Sequence, residues 1–298
     1  MTKEDSFKSG FVSITGRPNV GKSTFINTVT GLKISAVSSK PNTTRNRILG
    51  VKNFKDAQII FLDTPGVTTA KGLIGRSMVN VAMSSMFEAD IVLLMVDVKG
   101  NLGQQEKDMI ENTDKPLILL INKIDAYKKS RILSIMSEAG KYGDKILDTI
   151  PVSALTGEGL DIVYNTIIKN LKAGPHYFTD DIITDRTERF IVSEIIREKI
   201  FELTYREIPY RTAVVIEKFE EIPESNKVNI SALVYVEKQN QKGIIIGEDG
   251  KLLKEIATLS RRDINKLLGA NIHLDIWVKV KDKWTSKDHL IKEFGYCN

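Results

Sequence analysis

The chain has 298 residues, of which 42% are hydrophobic and 27% charged, with a net charge of +5 and a single cysteine. That length suggests two domains with ample material for a core. No run approaches the ~18 consecutive apolar residues of a membrane-spanning helix, the start Met1-Thr2-Lys3-Glu4-Asp5 lacks a signal-peptide core, and Cys297 cannot form an internal disulfide, so the chain reads as cytosolic. The basic excess is compatible with nucleic acid and lies early: residues 1–180 hold 23 Lys and Arg against 18 Asp and Glu, whereas residues 181–298 hold 20 of each.

Residues 11–14 alternate large and small side chains, as a strand does, and residues 23–29 can start a helix. Between them runs Gly16-Arg17-Pro18-Asn19-Val20-Gly21-Lys22-Ser23, which matches G-x-x-x-x-G-K-[ST]. Two glycines let the backbone curl so that successive N–H groups point at phosphate oxygens. Lys22 supplies a point charge for the β and γ phosphates, and Ser23 a hydroxyl for Mg²⁺. The positive end of the helix faces the anion. Gly16, Asn19, Val20, Gly21, Lys22, Ser23 and Thr24 are the candidate phosphate-binding residues.

Residues 33–47 read as a mobile, solvated, basic loop ending Pro41-Asn42-Thr43-Thr44-Arg45. Folded over a γ-phosphate, such a loop needs a hydroxyl for Mg²⁺, and Thr44 is preferred to Thr43. Strands are expected at 58–62, 91–96, 117–121 and 146–152. The runs 91–96 and 117–121 are apolar throughout, which suits strands buried on both faces of a parallel sheet. Amphipathic helices fit 72–87, 104–111, 130–139 and 160–171. The alternation predicts a doubly wound, mostly parallel α/β domain that binds its ligand at the carboxyl ends of the strands.

Three more motifs fall at those ends. In Asp63-Thr64-Pro65-Gly66, the acid can hold Mg²⁺ through water, and Gly66 offers an N–H that can follow the γ-phosphate. In Asn122-Lys123-Ile124-Asp125, the Asp125 carboxylate can accept parallel hydrogen bonds from guanine N1–H and its 2-amino group, a donor pair that adenine lacks. Lys123 would lie along the base plane, and Asn122 would tie loops together. In Ser153-Ala154-Leu155, the Ala154 N–H would reach guanine O6. Lys22, Thr44, Asp63 and Gly66 are the expected catalytic set, and Ser23, Thr44 and Asp63 the Mg²⁺ set. In this order the motifs resemble the translation-factor-like GTPases. The Gly16–Ser23 loop together with Thr43-Thr44-Arg45 narrows the likeness to the Era and tRNA-modification branch.

Gly174-Pro175 breaks the last helix, which sets a GTP-binding domain at 1–173, a linker at 174–185 and a second domain with a C-terminal tail at 186–298. The second domain reads as a helix (189–203), two strands (212–219 and 227–237), a loop, a helix (252–267) and a strand (271–280). The loop carries Gly243-Ile244-Ile245-Ile246-Gly247-Glu248-Asp249-Gly250, and Gly247-x-x-Gly250 matches the GXXG clamp of an α+β, type II KH domain. The expected RNA contacts are Lys242, Gly243, Ile246, Gly247, Gly250, Lys251, Lys254 and Arg261, joined by Arg262, with Ile244, Ile245 and Ile246 as an apolar floor for bases. Glu248 and Asp249 depart from the pattern, since acids there repel phosphate.

A P-loop GTPase domain followed by this KH domain resembles the Era family of bacterial ribosome-assembly GTPases, including at Ile183-Thr184-Asp185-Arg186 and Glu207-Ile208-Pro209-Tyr210. The resemblance implies binding of GTP, GDP and Mg²⁺, binding to 16S rRNA near its 3′ end, maturation of the 30S subunit, peripheral contact with the inner membrane, and a monomer. Val67 stands where Ras-like GTPases carry a water-positioning glutamine, and Arg45 is the candidate cation in cis, so slow intrinsic hydrolysis is expected. In related GTPases an asparagine at the position of Asn19 helps bind K⁺. The competing reading is a nucleotide-gated RNA-binding assembly factor whose slow hydrolysis serves only as a reset. His176, His273 and His289 lack metal-ligand spacing.

Overall fold

The computed structural model describes residues 7–38, 40–41, 43–66 and 72–296. By their contacts these residues fall into two compact units. One lies within Met1–Ile34, Thr44–Thr69 and Met78–Asp185, and the other within Ser35–Thr43, Ala70–Ser77 and Arg186–Asn298. Val67 and Cys297 lie outside the described residues. Among the described residues no helix is long and apolar enough to cross a membrane.

The first unit contains β1 (Lys8–Thr15), α1 (Lys22–Thr30), β2 (Ile48–Phe54) and β3 (Ala57–Asp63), and then most of α2 (Gly72–Glu88). It continues with β4 (Ile91–Asp97), α3 (Gln104–Asn112), β5 (Leu117–Asn122), α4 (Lys129–Ala139), β6 (Asp148–Val152) and α5 (Leu160–Asn170). The strands form one sheet in the order β2-β3-β1-β4-β5-β6. All pairings are parallel except β2 with β3. Residues 92–95 and 117–121 are fully buried, as the continuous apolar runs require. The register pairs Ile14 with Asp63, Asp97 with Asn122, and Asn122 with Val152. The carboxyl ends of these five strands therefore stop at one edge, which is where the motifs begin.

Three departures from the sequence reading concern this unit and its edge. Strand β2 was not expected; its burial comes from pairing with β3 and not from a strong pattern of its own. Residues 174–185, read as a linker, belong to the first unit. The Val51 N–H donates to Ile183 O (2.8 Å), Gln58 exchanges hydrogen bonds with the Phe178 backbone (2.7 and 3.0 Å), and Phe178 and Ile182 pack on Leu49, Val51, Ile60 and Leu62. The end of the loop at 33–47 is not solvated either. Thr43, Thr44, Arg45 and Asn46 are all buried, and residues 35–43 group with the second unit.

The second unit contains α6 (Glu188–Leu203), β7 (Ala213–Ile222), β8 (Lys227–Val236), α7 (Gln239–Ile246), α8 (Lys251–Leu268), β9 (Asn271–Val280) and α9 (Asp288–Glu293). Its sheet runs β7-β8-β9, with β7 antiparallel and β9 parallel to β8. Thr187 caps α6 by accepting the Phe190 N–H through its hydroxyl. Within this unit α6 holds Val37, Lys40 and Thr43. Glu198 accepts the Val37 N–H (2.7 Å), Arg197 donates to Thr43 O (2.6 Å), and Lys40 caps the last carbonyls of the helix at Phe201 and Thr204. These polar contacts satisfy the backbone of a segment too polar to be read as buried.

The C-terminal tail is a small core rather than an appendage. Trp284, Leu290, Ile291, Phe294 and Tyr296 pack with Ala213, and the Trp284 indole N–H donates to Arg211 O (3.0 Å). Trp284 is fully buried. Trp284→Ala should therefore cost about 3–5 kcal/mol, read from urea unfolding of the full chain. A loss below about 1 kcal/mol would mean that this cluster does not depend on the indole.

Candidate functional site

The phosphate-loop motif connects β1 to α1. Gly21 sits at φ 108°, and a Cβ on it would meet the Asn122 amide at 2.2 Å. Glycine is needed there because the loop and the Asn122 side chain share that space. The Lys22 ammonium folds onto the loop and donates to Gly16 O and Arg17 O, both at 2.9 Å. Lys22 is 6% exposed. Burial pushes its pKa down to about 8, against the raising effect of Asp63. Thr24 lies on α1, where its carbonyl accepts the Thr28 hydroxyl.

The Ser23 hydroxyl is 2.8 Å from Thr44 Oγ1 and donates to Asp63 Oδ2 at 3.2 Å. Three oxygens from α1, the 43–46 segment and the end of β3 thus converge beside the Lys22 loop. Thr43 turns its own hydroxyl to Lys40 O (2.9 Å), which separates the two threonines. Two hydroxyls and one carboxylate form a hard-oxygen set that suits Mg²⁺, a cation that takes one or two carboxylates and completes its shell with phosphate and water. No cluster of three His, Cys, Asp or Glu side chains that could hold a metal occurs among the described residues, so a cation here would draw on the hydroxyls. Gly66 follows Pro65 against the loop; a Cβ on it would lie 3.1 Å from Pro18. Arg45 is only 4% exposed, enclosed rather than extended as a cation in cis would be.

At the other end of the site, the Asn122 side chain donates to Val20 O (2.7 Å) and accepts the Ala154 N–H (2.8 Å). Asn122 does tie the loops together. The same contact corrects the reading of Ala154: its N–H is committed to Asn122 and is not directed at a base. Thr28 fixes the Ala154 carbonyl (2.6 Å), while Ser153 is fully buried and caps the turn by accepting the Thr156 N–H. Asp125 stands exposed in the short helix Ile124–Ala126, open to hydrogen-bond donors. The Lys123 ammonium donates to Asn19 O (2.7 Å) and to Asp97 Oδ2 (2.6 Å). Asp97 was not singled out from the sequence. Its signal was there: an acid directly after the apolar strand 91–96, at the edge where the other motifs sit.

In the second unit the GXXG segment links α7 to α8. Gly247 has φ 73°, and a Cβ there would meet Leu252 at 2.8 Å; around Gly250, which starts α8, an added Cβ meets nothing within 4 Å. One glycine is thus required by packing, while the other leaves an open approach to the N-terminus of an 18-residue helix. Glu248 and Asp249 point outward with their side chains 87% and 80% exposed, and Lys251 lies within 4.0 and 3.6 Å of them, which offsets part of their charge. Lys254, Arg261 and Arg262 are exposed along α8, and Lys242 is half-buried. The segment read as a loop, Gly243-Ile244-Ile245-Ile246, is the end of α7. Ile245 is fully buried and cannot serve as a floor for bases, whereas Ile244 is 48% exposed and Ile246 half-buried. Helical spacing, which turns adjacent side chains to different faces, separates the three isoleucines.

Residues 11–123 match the family of 50S ribosome-binding GTPases, and residues 207–285 the KH domain. GTPase Era of Geotalea uraniireducens (strain Rf4) is 46% identical over 297 residues, which is 98% of this chain and 99% of that protein. GTPase Era of Geobacter sp. (strain M21) is 47% identical over 298 residues, with the same shares covered. Among solved structures, a point variant of Aquifex aeolicus Era bound to GDP.AlF4- aligns with a TM-score of 0.93. Era in complex with MgGDPNP and nucleotides 1506–1542 of 16S ribosomal RNA aligns with a TM-score of 0.92. Each is 39% identical and covers 98% of this chain and 100% of its own. Full-length likeness at this identity joins the phosphate loop, the Asn122–Asp125 turn and the GXXG segment in a single lineage: the chain belongs to the Era family, a GTPase domain followed by a KH domain.

Proposed function

We propose that this chain is a GTP-hydrolysing switch that binds 16S rRNA near its 3′ end and assists assembly of the small ribosomal subunit. The observation that carries the switch is the reach of the Thr44 hydroxyl to Ser23, 2.8 Å away, beside Asp63. A hydroxyl from a separate segment joins the metal set only when that segment is folded against the loop, which is how a γ-phosphate is sensed. The rRNA reading is supported by the KH domain, the open approach at Gly250, and the solved Era complex containing nucleotides 1506–1542.

In this reading Lys22 and the N–H groups of the Gly16–Ser23 loop hold the β and γ phosphates, and the Gly66 N–H follows the γ-phosphate. Mg²⁺, held by Ser23, Thr44 and Asp63, would neutralise charge on the phosphoryl oxygens. Asp125 reads guanine N1–H and the 2-amino group, and Lys123 lies along the base. Val67 is apolar and cannot orient water, so unassisted turnover is slow. Asn19 is assigned to K⁺, whose charge would assist where no arginine does.

The deciding experiment is GTP turnover in K⁺ and in Na⁺, with and without an RNA copying the 3′ end of 16S rRNA. Faster turnover in K⁺ and with RNA is expected. Equal rates in the two salts would remove the K⁺ assignment, and no effect of RNA on turnover, with binding still GTP-dependent, would favour the gated binder. Asp125→Asn should weaken GTP by about 100-fold or more, because the amide cannot accept both guanine donors. The same variant should gain turnover of XTP, whose 2-oxo group accepts from the new amide; unchanged GTP affinity would refute the base assignment. Burial holds Lys22 at a pKa of about 8, whereas phosphate oxygens favour its charged form. Nucleotide binding should therefore take up protons between about pH 8 and the ordinary lysine range, and affinity should fall as pH rises through that window. Calorimetry in buffers of different ionisation enthalpy measures the uptake, and zero uptake at pH 9 would contradict it.

A further inference from the structure

We infer that Asp97 is a positioning residue that locks the base-reading turn to the phosphate loop through Lys123. Asn19 and Lys123 are the non-glycine residues of the first unit that sit at positive φ among the described residues, at 65° and 70°. Left-handed backbone at such residues costs about 1 kcal/mol and persists where surrounding contacts hold it. Here one side chain joins the two strained turns: the Lys123 ammonium donates to the Asn19 carbonyl at 2.7 Å and to Asp97 Oδ2 at 2.6 Å.

Asp97 is itself oriented before it meets Lys123. It ends β4 in register with Asn122, and its other oxygen, Oδ1, accepts the Lys99 N–H (2.8 Å). Its carbonyl accepts the Gly100 N–H (3.1 Å), which closes a turn. A carboxylate fixed by its own turn gives a long, flexible lysine a defined direction, and the charge-assisted bond is stronger than one between neutral groups. Without it, the ammonium would keep only the Asn19 carbonyl, and the two turns would be held by one neutral acceptor. The pair is partly exposed, with side chains 37% and 21% accessible, so the effect is moderate rather than decisive for folding. Asp97 makes no contact with nucleotide in this account; it acts on affinity through Lys123.

The inference rests on the assignment of Lys123 to the base, and its test separates the two. Dissociation of a fluorescent GDP, turnover of GTP and nucleotide-free melting are measured on the full chain for Asp97→Ala, Asp97→Asn, Lys123→Met and the double variant. Asp97→Ala is expected to speed GDP release about tenfold, with turnover at saturating GTP changed less than about threefold and melting of the nucleotide-free protein unchanged. In the Lys123→Met background, Asp97→Ala should add nothing, because its only route is gone. If Asp97→Ala lowers the melting temperature, Asp97→Asn, which keeps an acceptor, is read in its place. Unchanged release in the Asp97 variants, or the same acceleration with Lys123→Met already present, overturns the inference. Release from Lys123→Met no faster than from Asp97→Ala leaves the lock standing and overturns the base assignment instead, because the lysine then acts only as the link between the turns.

Discussion

The side-chain amide of Asn122 is the point on which the nucleotide end of the first unit closes. Its Nδ2 reaches Val20 O in the phosphate loop, and its Oδ1 receives the Ala154 N–H from the turn after β6. Both loops leave strands whose register ends them at the same edge, so one short side chain spans them. The amide also explains Gly21, because any Cβ there would occupy its position. A buried amide with both ends satisfied imposes a single arrangement of the loops, whereas one left half-paired would carry a desolvation penalty.

Around that point the site accepts local costs. Lys22 is enclosed with its charge opposed by burial, and Asn19 and Lys123 hold backbone conformations that few side chains adopt. Such strain is retained where ligand binding needs it, and the surrounding strands are rigid enough to sustain it. The carbonyls of Gly16 and Arg17 accept from the Lys22 ammonium, which draws the loop around it. Preorganisation of this kind leaves less ordering to be done on binding.

The second unit shows how two acids are accommodated in a GXXG segment. Glu248 and Asp249 project into solvent, where their field is weakened by water, and Lys251 stands close to both. The backbone at Gly250 remains accessible beside them. The contacts of α6 with Val37 and Thr43 and the C-terminal cluster around Trp284 extend this unit beyond its KH elements.

What the sequence determined by itself was whatever is encoded locally. Residue spacing in the Gly16–Ser23 loop, the apolar runs at 91–96 and 117–121, and the Asn122–Asp125 and Gly247–Gly250 motifs specify backbone shapes over a few residues, and each element formed within a few positions of its expected place. Tertiary structure decided what depends on partners far along the chain. Strand β2 forms because β3 offers its edge, residues 174–185 are held by Gln58 and Val51, and the backbone at Val37 and Thr43 is held because α6 supplies Glu198 and Arg197 to it. The same applies to the site. The motif favours Thr44 over Thr43, but only the fold brings the Ala154 N–H to Asn122 Oδ1 and places Asp97 2.6 Å from the Lys123 ammonium. Composition and periodicity carry the covalent neighbourhood of a residue; which distant group will satisfy its hydrogen bond is settled only when the chain has folded.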